Sequence, residues 1–333
     1  MGGESEQTDV FACNEVRRIN RVRLIPMVVQ QVPMLAVCLQ GSGRATTTSY
    51  WSEVFLFNAD AGQRFQQLPI LMTPHEFVAS PGPGIVPGLS FVVPGELAGL
   101  PPQSQAVISA NLMYPAPVYS HPVQIPPVKK VRFEEAVDLH GLGHPGVALA
   151  SSNRPPLVRD EREGWRMLEG ALRPHRLYAA RPNILIGLGR TSGGSTAAVA
   201  WNINRPYVLH TFGGRKDVSH IAVSTSGELV AVAAPDGISV HRPTGEEVLD
   251  RLPVEDRVDG LLIDDSGSGV HVVCVSPSGI KLWEATRKAV VGDFPAVAVP
   301  ADEPVLECQF APTSGSPKVV LATSARVVMR SLG

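Results

Sequence analysis

The segment Gly189-Arg190-Thr191-Ser192-Gly193-Gly194-Ser195-Thr196 has the glycine spacing of a phosphate-binding loop. Such a loop needs a lysine that reaches the β- and γ-phosphates, and it must open a helix. Ser195 occupies the lysine position, and residues 197–202 have the composition of a strand. We therefore interpret the segment as a hairpin turn.

Asp138, His140 and His144 are close enough in sequence to suggest a metal site. A His-x-x-x-His pair binds metal when a helix places both imidazoles on one face, but glycines and a proline interrupt this segment. The chain also lacks a Gly-x-Ser-x-Gly elbow and a Cys–His arrangement of the kind that activates a nucleophile. We assign no catalytic residue, metal or cofactor from the sequence.

Four arginines, Arg17, Arg18, Arg21 and Arg23, cluster near the beginning of the chain. Such a cluster has the charge to contact phosphate groups, but alternating positions on a strand also place charged side chains together on one solvated face. We favour the solvated face.

The segment Lys129-Lys130-Val131-Arg132-Phe133-Glu134-Glu135 has a basic residue, Val and Phe at a spacing that places Val131 and Phe133 on one side of an extended strand. It resembles the docking peptide by which regulatory subunits bind type-one protein serine/threonine phosphatase. The resemblance implies that Lys130, Val131, Arg132 and Phe133 add a strand to the phosphatase and fill two apolar pockets. The alternative is that Val131 and Phe133 are inward-facing residues of an ordinary strand of the fold.

The composition limits both the fold and the partners. The chain has 333 residues, and 29 Lys and Arg against 31 Asp and Glu give a net charge of −2, which excludes a general polyanion binder and makes nucleic acid an unexpected partner. Its 31 Gly and 30 Pro favour turns over long helices. The length suits two ordinary domains or one large all-β domain.

Compartment signals are few. The four cysteines, Cys13, Cys38, Cys274 and Cys308, have no metal or disulfide spacing and are expected to be reduced core thiols. Residues 24–39 are apolar but are interrupted by prolines and glutamines and are too short to span a bilayer, so we expect two buried strands and no membrane insertion. The expected location is the cytoplasm, or alternatively the nucleus.

The C-terminal part of the chain contains a repeat. Short β-rich runs alternate with glycine turns in three units that cover residues 218–242, 258–284 and 305–330. Bulky residues end the third run of successive units about 40 residues apart, at Trp201, His241, Trp283 and Met329. Because the runs are apolar on both faces, we predict four-stranded sheets that stack around an axis as a β-propeller. The alternative is a β-sandwich with similar hairpins.

These units resemble the WD-repeat family. The resemblance rests on Ile238-Ser239-Val240-His241-Arg242, Gly279-Ile280-Lys281-Leu282-Trp283-Glu284, Ala198-Val199-Ala200-Trp201-Asn202 and Phe55-Leu56-Phe57-Asn58. It implies a propeller whose third strands end in an aromatic–acid pair. Here the pairs are Trp-Asn, His-Arg, Trp-Glu and Phe-Asn, so we describe the fold as WD-like.

The last unit ends after its third strand, so a closed ring needs a fourth strand from the N-terminus. Residues 10–13 and residues 21–25 are the two candidates, and either predicts that the termini are adjacent. We expect about seven blades, or six, in a single domain covering 1–333, with irregular proline-rich blades in the middle and proline-rich and mixed-charge insertions at 74–165. Within these we expect a surface loop and a short helix over residues 153–172.

The leading interpretation is a non-enzymatic propeller that binds protein partners in a multiprotein complex, because loops on a rigid disc offer many contact sites. One alternative is a phosphatase-targeting subunit that docks through Lys130–Phe133. Another is an enzyme with a site in the central channel, which scattered residues are able to form.

Overall fold

The computed structural model describes residues 7–14, 17–43, 50–68, 79–81, 88–111, 118–119, 122–126, 133–138, 146–151, 153–160, 164–181, 183–205, 207–214, 216–267, 269–295 and 303–332. These residues form 29 β-strands and one 3-10 helical turn, Gly95–Ala98. None of the described segments is a helix long and apolar enough to cross a membrane. The predicted all-β class is confirmed.

The strands form seven antiparallel sheets, which we call blades one to seven. Blade one comprises β2 (Arg17–Val29), β3 (Val32–Gly43), β4 (Tyr50–Asn58) and β5 (Gln63–Gln67). Blade two comprises β6 (Ala79–Pro81), β7 (Gly88–Pro94), β8 (Gln105–Asn111), β9 (Val118–Tyr119) and β10 (Val123–Ile125). Blade three comprises β11 (Phe133–Asp138), β12 (Gly146–Ser151), β13 (Arg154–Asp160) and β14 (Gly164–Met167). Blade four comprises β15 (Arg173–Ala180), β16 (Ile184–Arg190), β17 (Thr196–Asn202) and β18 (Val208–Phe212).

The last three blades follow the same order. Blade five comprises β19 (His220–Val223), β20 (Val230–Ala234), β21 (Gly237–His241) and β22 (Glu247–Leu252). Blade six comprises β23 (Gly260–Asp264), β24 (His271–Ser276), β25 (Gly279–Glu284) and β26 (Ala289–Pro295). Blade seven comprises β27 (Glu307–Ala311), β28 (Lys318–Ala322), β29 (Arg326–Ser331) and β1 (Gln7–Ala12). The predicted number of seven is thereby confirmed over six.

The first strands of neighbouring blades contact one another around a complete ring, from β2 through β6, β11, β15, β19 and β23 to β27 and back to β2. Seven apolar clusters fill the seven interfaces between adjacent blades. The molecule is therefore a closed seven-bladed β-propeller, and the β-sandwich alternative is wrong.

Strand β20 shows why the blades stack. Side chains of successive strand residues point to opposite faces of a sheet. Val230 and Val232 accordingly pack into the interface with blade four, whereas Ala231 and Ala233 pack into the interface with blade six. A sheet with two apolar faces needs a neighbour on each side, which a ring provides.

The ring closes with a strand from the N-terminus. Strand β1 pairs antiparallel with β29, and Gln7 lies opposite Arg330. This confirms the candidate at residues 10–13, while residues 21–25 belong to β2. Asp60 in the β4–β5 turn reinforces the closure, because it accepts a 2.7 Å hydrogen bond from the Ser314 hydroxyl of blade seven.

The repeat predicted from the sequence corresponds to the first three strands of blades five, six and seven. Trp201, His241, Trp283 and Phe57 are all buried near the ends of third strands, as the WD-like pattern implies. Trp201 donates a 2.6 Å hydrogen bond from Nε1 to the Glu169 carbonyl, which precedes the blade.

Residues 153–172 differ from the expected loop and short helix. They form β13 and β14, with Val158 opposite Arg166, so that prediction is wrong. Leu168 and Leu172, whose spacing suggested a helix, are buried on extended chain between blades three and four. Blade pairing outweighs a weak helical periodicity because each added strand residue gains ladder hydrogen bonds and burial. Blade two is irregular as expected, with a three-residue first strand and an outer position divided between β9 and β10.

Candidate functional site: the central channel

The first strands surround a cavity of about 980 Å³. Strands β2, β11, β15, β19, β23 and β27 line it, and the turns that follow β19, β23 and β27 also contribute. Charged and polar side chains on these strands converge on the cavity although they lie far apart in sequence. The channel is therefore the candidate functional site.

Two arginines and two glutamates form a buried ion-pair network in the channel. Arg23 contacts Glu135 through Nη2 and Glu307 through Nη1, the latter at 3.2 Å. Arg176 donates to Glu307 at 2.6 Å and lies 4.0 Å from Glu135. The Glu135 carboxylate also accepts a 3.1 Å hydrogen bond from the Leu177 backbone N–H.

The network joins two pairs of neighbouring blades, one and seven on one side and three and four on the other. Arg23 is on blade one, Glu135 on blade three, Arg176 on blade four and Glu307 on blade seven. The Arg23–Glu135 and Arg176–Glu307 pairs each join blades that are not adjacent in the ring. Two positive and two negative charges cancel, so the network is neutral while all four groups are ionised. The result is a polar bridge across the axis of the propeller.

Burial and pairing act in opposite directions on these groups. Burial alone lowers the pKa of Arg23, but Glu135 and Glu307 together outweigh it and raise the pKa above its ordinary value. The pKa of Arg176 is also raised, because the attraction of Glu307 and Glu135 outweighs the effect of burial. Burial raises the pKa of Glu135, and Arg23 and Arg176 offset only part of this. The arginines therefore remain charged, and burial disfavours the ionised form of Glu135.

Other polar groups line the cavity outside the network. His220 is mostly buried, and burial lowers its pKa. Its Nδ1 atom has no hydrogen-bond partner in the part of the chain that the structure describes. Tyr178 is also buried, which raises the pKa of its hydroxyl. No three His, Cys, Asp or Glu side chains among the described residues are grouped so as to hold a metal ion.

The arginine cluster does not form a single solvated face. Arg17 and Arg18 are exposed, but the Arg23 side chain is only 19% exposed and belongs to the ion-pair network. The predicted solvated face is therefore wrong for Arg23. Strand alternation does place Arg21 and Arg23 on the same side, but β2 lies at the channel and carboxylates from other blades meet it there.

Phe133, the last residue of the predicted docking peptide, is the first residue of β11 and is 4% exposed. Its ring packs between blades two and three. Lys130, Val131 and Arg132 lie outside the described residues. In this position Phe133 is not available to fill a pocket on a phosphatase, so its burial weighs against the docking hypothesis, which otherwise stays a prediction.

The structure also describes other residues that the sequence analysis considered for chemistry. Residues 189–196 comprise the end of β16, the turn of residues 191–195 and the start of β17, which confirms the hairpin interpretation over a phosphate-binding loop. His140 and His144 lie outside the described residues. The four cysteines are free. Burial raises the pKa of the Cys274 and Cys308 thiols to about 12, so they remain protonated and unreactive near neutral pH.

Sequence reasoning missed Glu135 and Glu307 as partners of Arg23, and it missed Arg176 as the second arginine of the network. Glu307 begins an otherwise uncharged strand, and Glu135 belongs to the segment that resembles a docking peptide. A usable signal is a charged residue within the first strand of a blade, because that strand lies next to the axis. The pairing itself needs the ring, since Arg23 and Glu307 are on opposite ends of the chain.

Comparisons with known proteins place the fold. No family model matches the chain, and no curated protein matches its sequence. A crystal structure of BBS1N in complex with ARL6DN is similar with a TM-score of 0.60 and 11% identity, and the match covers 99% of this chain and 98% of that chain. YCF48 bound to D1 peptide is similar with a TM-score of 0.56 and 11% identity, covering 100% of this chain and 98% of that chain. At such identities the similarity shows a shared propeller fold.

Proposed function

We propose that this protein is a non-enzymatic propeller scaffold that holds protein partners within a multiprotein complex. The observation that carries the proposal is the ion-pair network. Its four charged groups are the main cluster of titratable side chains at the channel, and each is engaged with an oppositely charged partner. Groups held in this way rigidify a ring, whereas an acid or base must exchange its proton with a substrate.

The structural neighbours support the same proposal. One was crystallised in complex with ARL6DN and another was bound to D1 peptide. Both are proteins of similar fold that hold a polypeptide partner. A rigid ring with seven blades presents two faces and an outer rim, and such surfaces suit several partners at once.

The proposal is tested by recovering the protein from native extract under conditions that preserve complexes. The wild type and a face variant, Arg17→Glu with Arg18→Glu, are tagged in parallel, and co-purifying proteins are quantified by mass spectrometry. A rim variant, Val290→Asp with Val291→Asp, provides a second surface, because these two valines are about half exposed on β26. Circular dichroism and thermal unfolding establish that each variant is folded.

We expect the tagged wild type to recover a defined set of proteins in constant ratio. The same set should be recovered when one of those proteins is tagged instead. At least one surface variant should lose some members of this set. The protein behaving as a monomer in extract, with no constant partner, would contradict the scaffold. Recovered catalytic turnover that depends on His220 or Tyr178 would favour the enzyme alternative.

A further inference from the structure

Two arginines lie directly opposite each other on blade four. Arg173 is the first residue of β15 and Arg190 is the last residue of β16, and the two face each other in the antiparallel ladder. Directly opposed residues have Cβ atoms about 4.5–5.5 Å apart and point to the same face of the sheet. Both residues are exposed. The end of the β15–β16 pair therefore presents two guanidinium groups side by side.

The arginine pair breaks a rule that the other blades follow. Like charges in directly opposed positions destabilise a sheet. In the other described strand pairs, charged residues that face each other are of opposite sign, as in Lys281 and Asp293, or combine a histidine with an acid. A position that violates a local pairing rule without compensation inside the sheet is a candidate functional site.

Gly189 holds the two strands close together beside this pair. Gly189 lies opposite Pro174, one position further along each strand. A Cβ atom at residue 189 would lie 2.2 Å from the Arg173 carbonyl oxygen, so a larger residue would force β15 away from β16. The backbone thereby keeps the two arginines adjacent.

No acid in the described part of the chain neutralises the pair. Neither Arg173 nor Arg190 forms an ion pair with a described residue. Residues 170–216 contain six Arg and one Lys but no Asp or Glu. Of these, Arg176 is already paired with Glu307 in the channel. The guanidinium groups of the exposed pair keep their N–H donors for water or for another molecule.

Glu169 and Asp217 border this basic range of the sequence. The Asp217 carboxylate accepts a 2.8 Å hydrogen bond from the Thr196 N–H, which holds it at β17. Lys216, next to Asp217 in sequence, contacts Asp236 of blade five. Neither Glu169 nor Asp217 forms an ion pair with the arginine pair in the described structure. Both guanidinium charges are therefore available to a ligand.

The turn that follows Arg190 adds neutral donors. Residues 191–195 connect β16 to β17, and residues 192–195 are exposed. A 2.9 Å hydrogen bond from the Thr191 N–H to the Ser195 carbonyl closes the turn, and the Gly194 N–H donates to the Thr191 carbonyl at 3.0 Å. The hydroxyls of this turn lie beside the arginines. Guanidinium groups together with hydroxyl donors are the groups that contact phosphate in proteins.

A phosphate monoester matches this set of groups. It carries a charge of about −1.5 to −2 near pH 7 and has three acceptor oxygens, so two arginines neutralise it and bind it through several N–H donors. A carboxylate has one charge and two oxygens, which leaves one guanidinium unpaired. The net charge of the chain, −2, disfavours a polyanion such as nucleic acid.

We propose that Arg173 and Arg190 bind a phosphorylated side chain of a partner polypeptide. The phosphate lies between the two guanidinium groups and relieves their repulsion, and the turn of residues 191–195 supplies further hydrogen bonds. This inference rests on the proposed scaffold function and adds the chemistry of one partner to it.

The test uses the purified full chain and two pools of degenerate hexapeptides, one with phosphoserine at a central position and one with serine there. Binding is measured by affinity selection with mass spectrometry, and selected peptides are then titrated individually. The phosphorylated peptides should bind about tenfold or more tightly than their unphosphorylated counterparts, because hydrogen bonds between charged groups are strong. Inorganic phosphate and vesicles of phosphatidylcholine that contain phosphatidylinositol phosphate are titrated in parallel to separate the sources of a phosphate group.

Matched variants locate the binding. Arg173→Gln and Arg190→Gln each remove one charge from the pair, and each should weaken phosphopeptide binding about tenfold or more. Arg205→Gln is the control, because Arg205 is an exposed arginine of the same blade in the turn after β17, at the other end of the sheet, and this variant should bind like the wild type. Since the paired arginines repel each other, neither test variant should lower the unfolding temperature, which separates lost binding from lost structure.

Three results would overturn the proposal: no phosphopeptide binding at millimolar concentration, equal binding of the two pools, or equal binding by the wild type and the double variant Arg173→Gln with Arg190→Gln. Tighter binding of the vesicles or of inorganic phosphate than of every phosphopeptide would assign the pair to a lipid head group or a free anion and would equally overturn it. If partners are nevertheless recovered from extract in constant ratio, the scaffold stands and its partners bind elsewhere.

Discussion

Glu135→Gln is the most informative single change in this protein. The substitution keeps the shape of the side chain and an oxygen for the Leu177 N–H, but it removes one negative charge from the network. Arg23 and Arg176 are then left with Glu307 as their only carboxylate partner within the network. The network changes from neutral to a net charge of +1 in a buried setting.

The expected cost follows from burial. Breaking a buried ion pair by removing one partner typically destabilises a protein by about 3–5 kcal/mol. Arg23 keeps Glu307 and is 19% exposed, so solvent screens part of the remaining charge, and we expect about 3 kcal/mol. With an unfolding entropy of roughly 2.1 cal/mol/K per residue, the 333-residue chain should lose about 4 °C in unfolding temperature.

The assay is thermal and urea unfolding followed by circular dichroism and tryptophan fluorescence, since Trp201 and Trp283 report on buried blade interfaces. Arg23→Met with Glu135→Leu restores neutrality. We expect this double variant to be more stable than Glu135→Gln. Glu246→Gln is the matched control, because its ion pair with Arg242 is largely exposed and should change the unfolding temperature by about one degree or less.

The reasoning would be refuted if Glu135→Gln unfolds at the wild-type temperature, or if the effects of Arg23→Met and Glu135→Leu simply add. Additivity would mean that the two side chains do not interact energetically despite their contact. A loss in Glu246→Gln as large as that in Glu135→Gln would show that the effect is not specific to the channel.

Three further predictions follow from other parts of the ring. Phe133→Ala should destabilise the protein by about 3–5 kcal/mol because it leaves a cavity between blades two and three; an unchanged unfolding temperature together with specific loss of phosphatase from a pull-down would instead favour the docking peptide. Burial lowers the pKa of His220 and His241 below 6.5, so the unfolded chain binds more protons than the folded chain in acid. Stability should therefore be full above about pH 6.5 and fall as the pH drops below it, and the fall should be shallower in His241→Gln than in the wild type when unfolding temperature is measured against pH. Deleting residues 1–12 removes β1 and opens the ring, so the truncated chain should lose cooperative unfolding and expose β29 to proteolysis, whereas normal unfolding of the truncated chain would show that closure is dispensable.

The all-β class, the stacked blades of a propeller and the N-terminal closing strand were all predictable from the sequence. Each depends on short-range patterns: glycine turns, runs that are apolar on both faces, and a third strand that ends in a bulky side chain. The turn at Gly237 shows the physical basis, since its φ of +128° is readily available only to glycine. A repeat of such patterns predicts a stacked ring because no single blade can bury both of its faces.

The central site could not be predicted in this way. The sequence correctly places Arg23 on a strand, but the environment of its side chain depends on Glu135 and Glu307, which are 112 and 284 residues away in sequence. The prediction of a short helix in the middle of the chain failed for a related reason. The spacing of Leu168 and Leu172 is compatible with a helix, but in the folded protein the Leu168 N–H bonds to the Pro156 carbonyl of β13 and both leucines are buried between blades three and four.

The sequence by itself determined the regular blades and the ring, because turn geometry and the two-residue period of a strand are properties of neighbouring residues. Only the tertiary structure decided which charges meet at the axis and whether Phe133 is buried. Closing a ring brings the first strands of distant blades together, and the interactions that result depend on through-space distance, which no local pattern encodes.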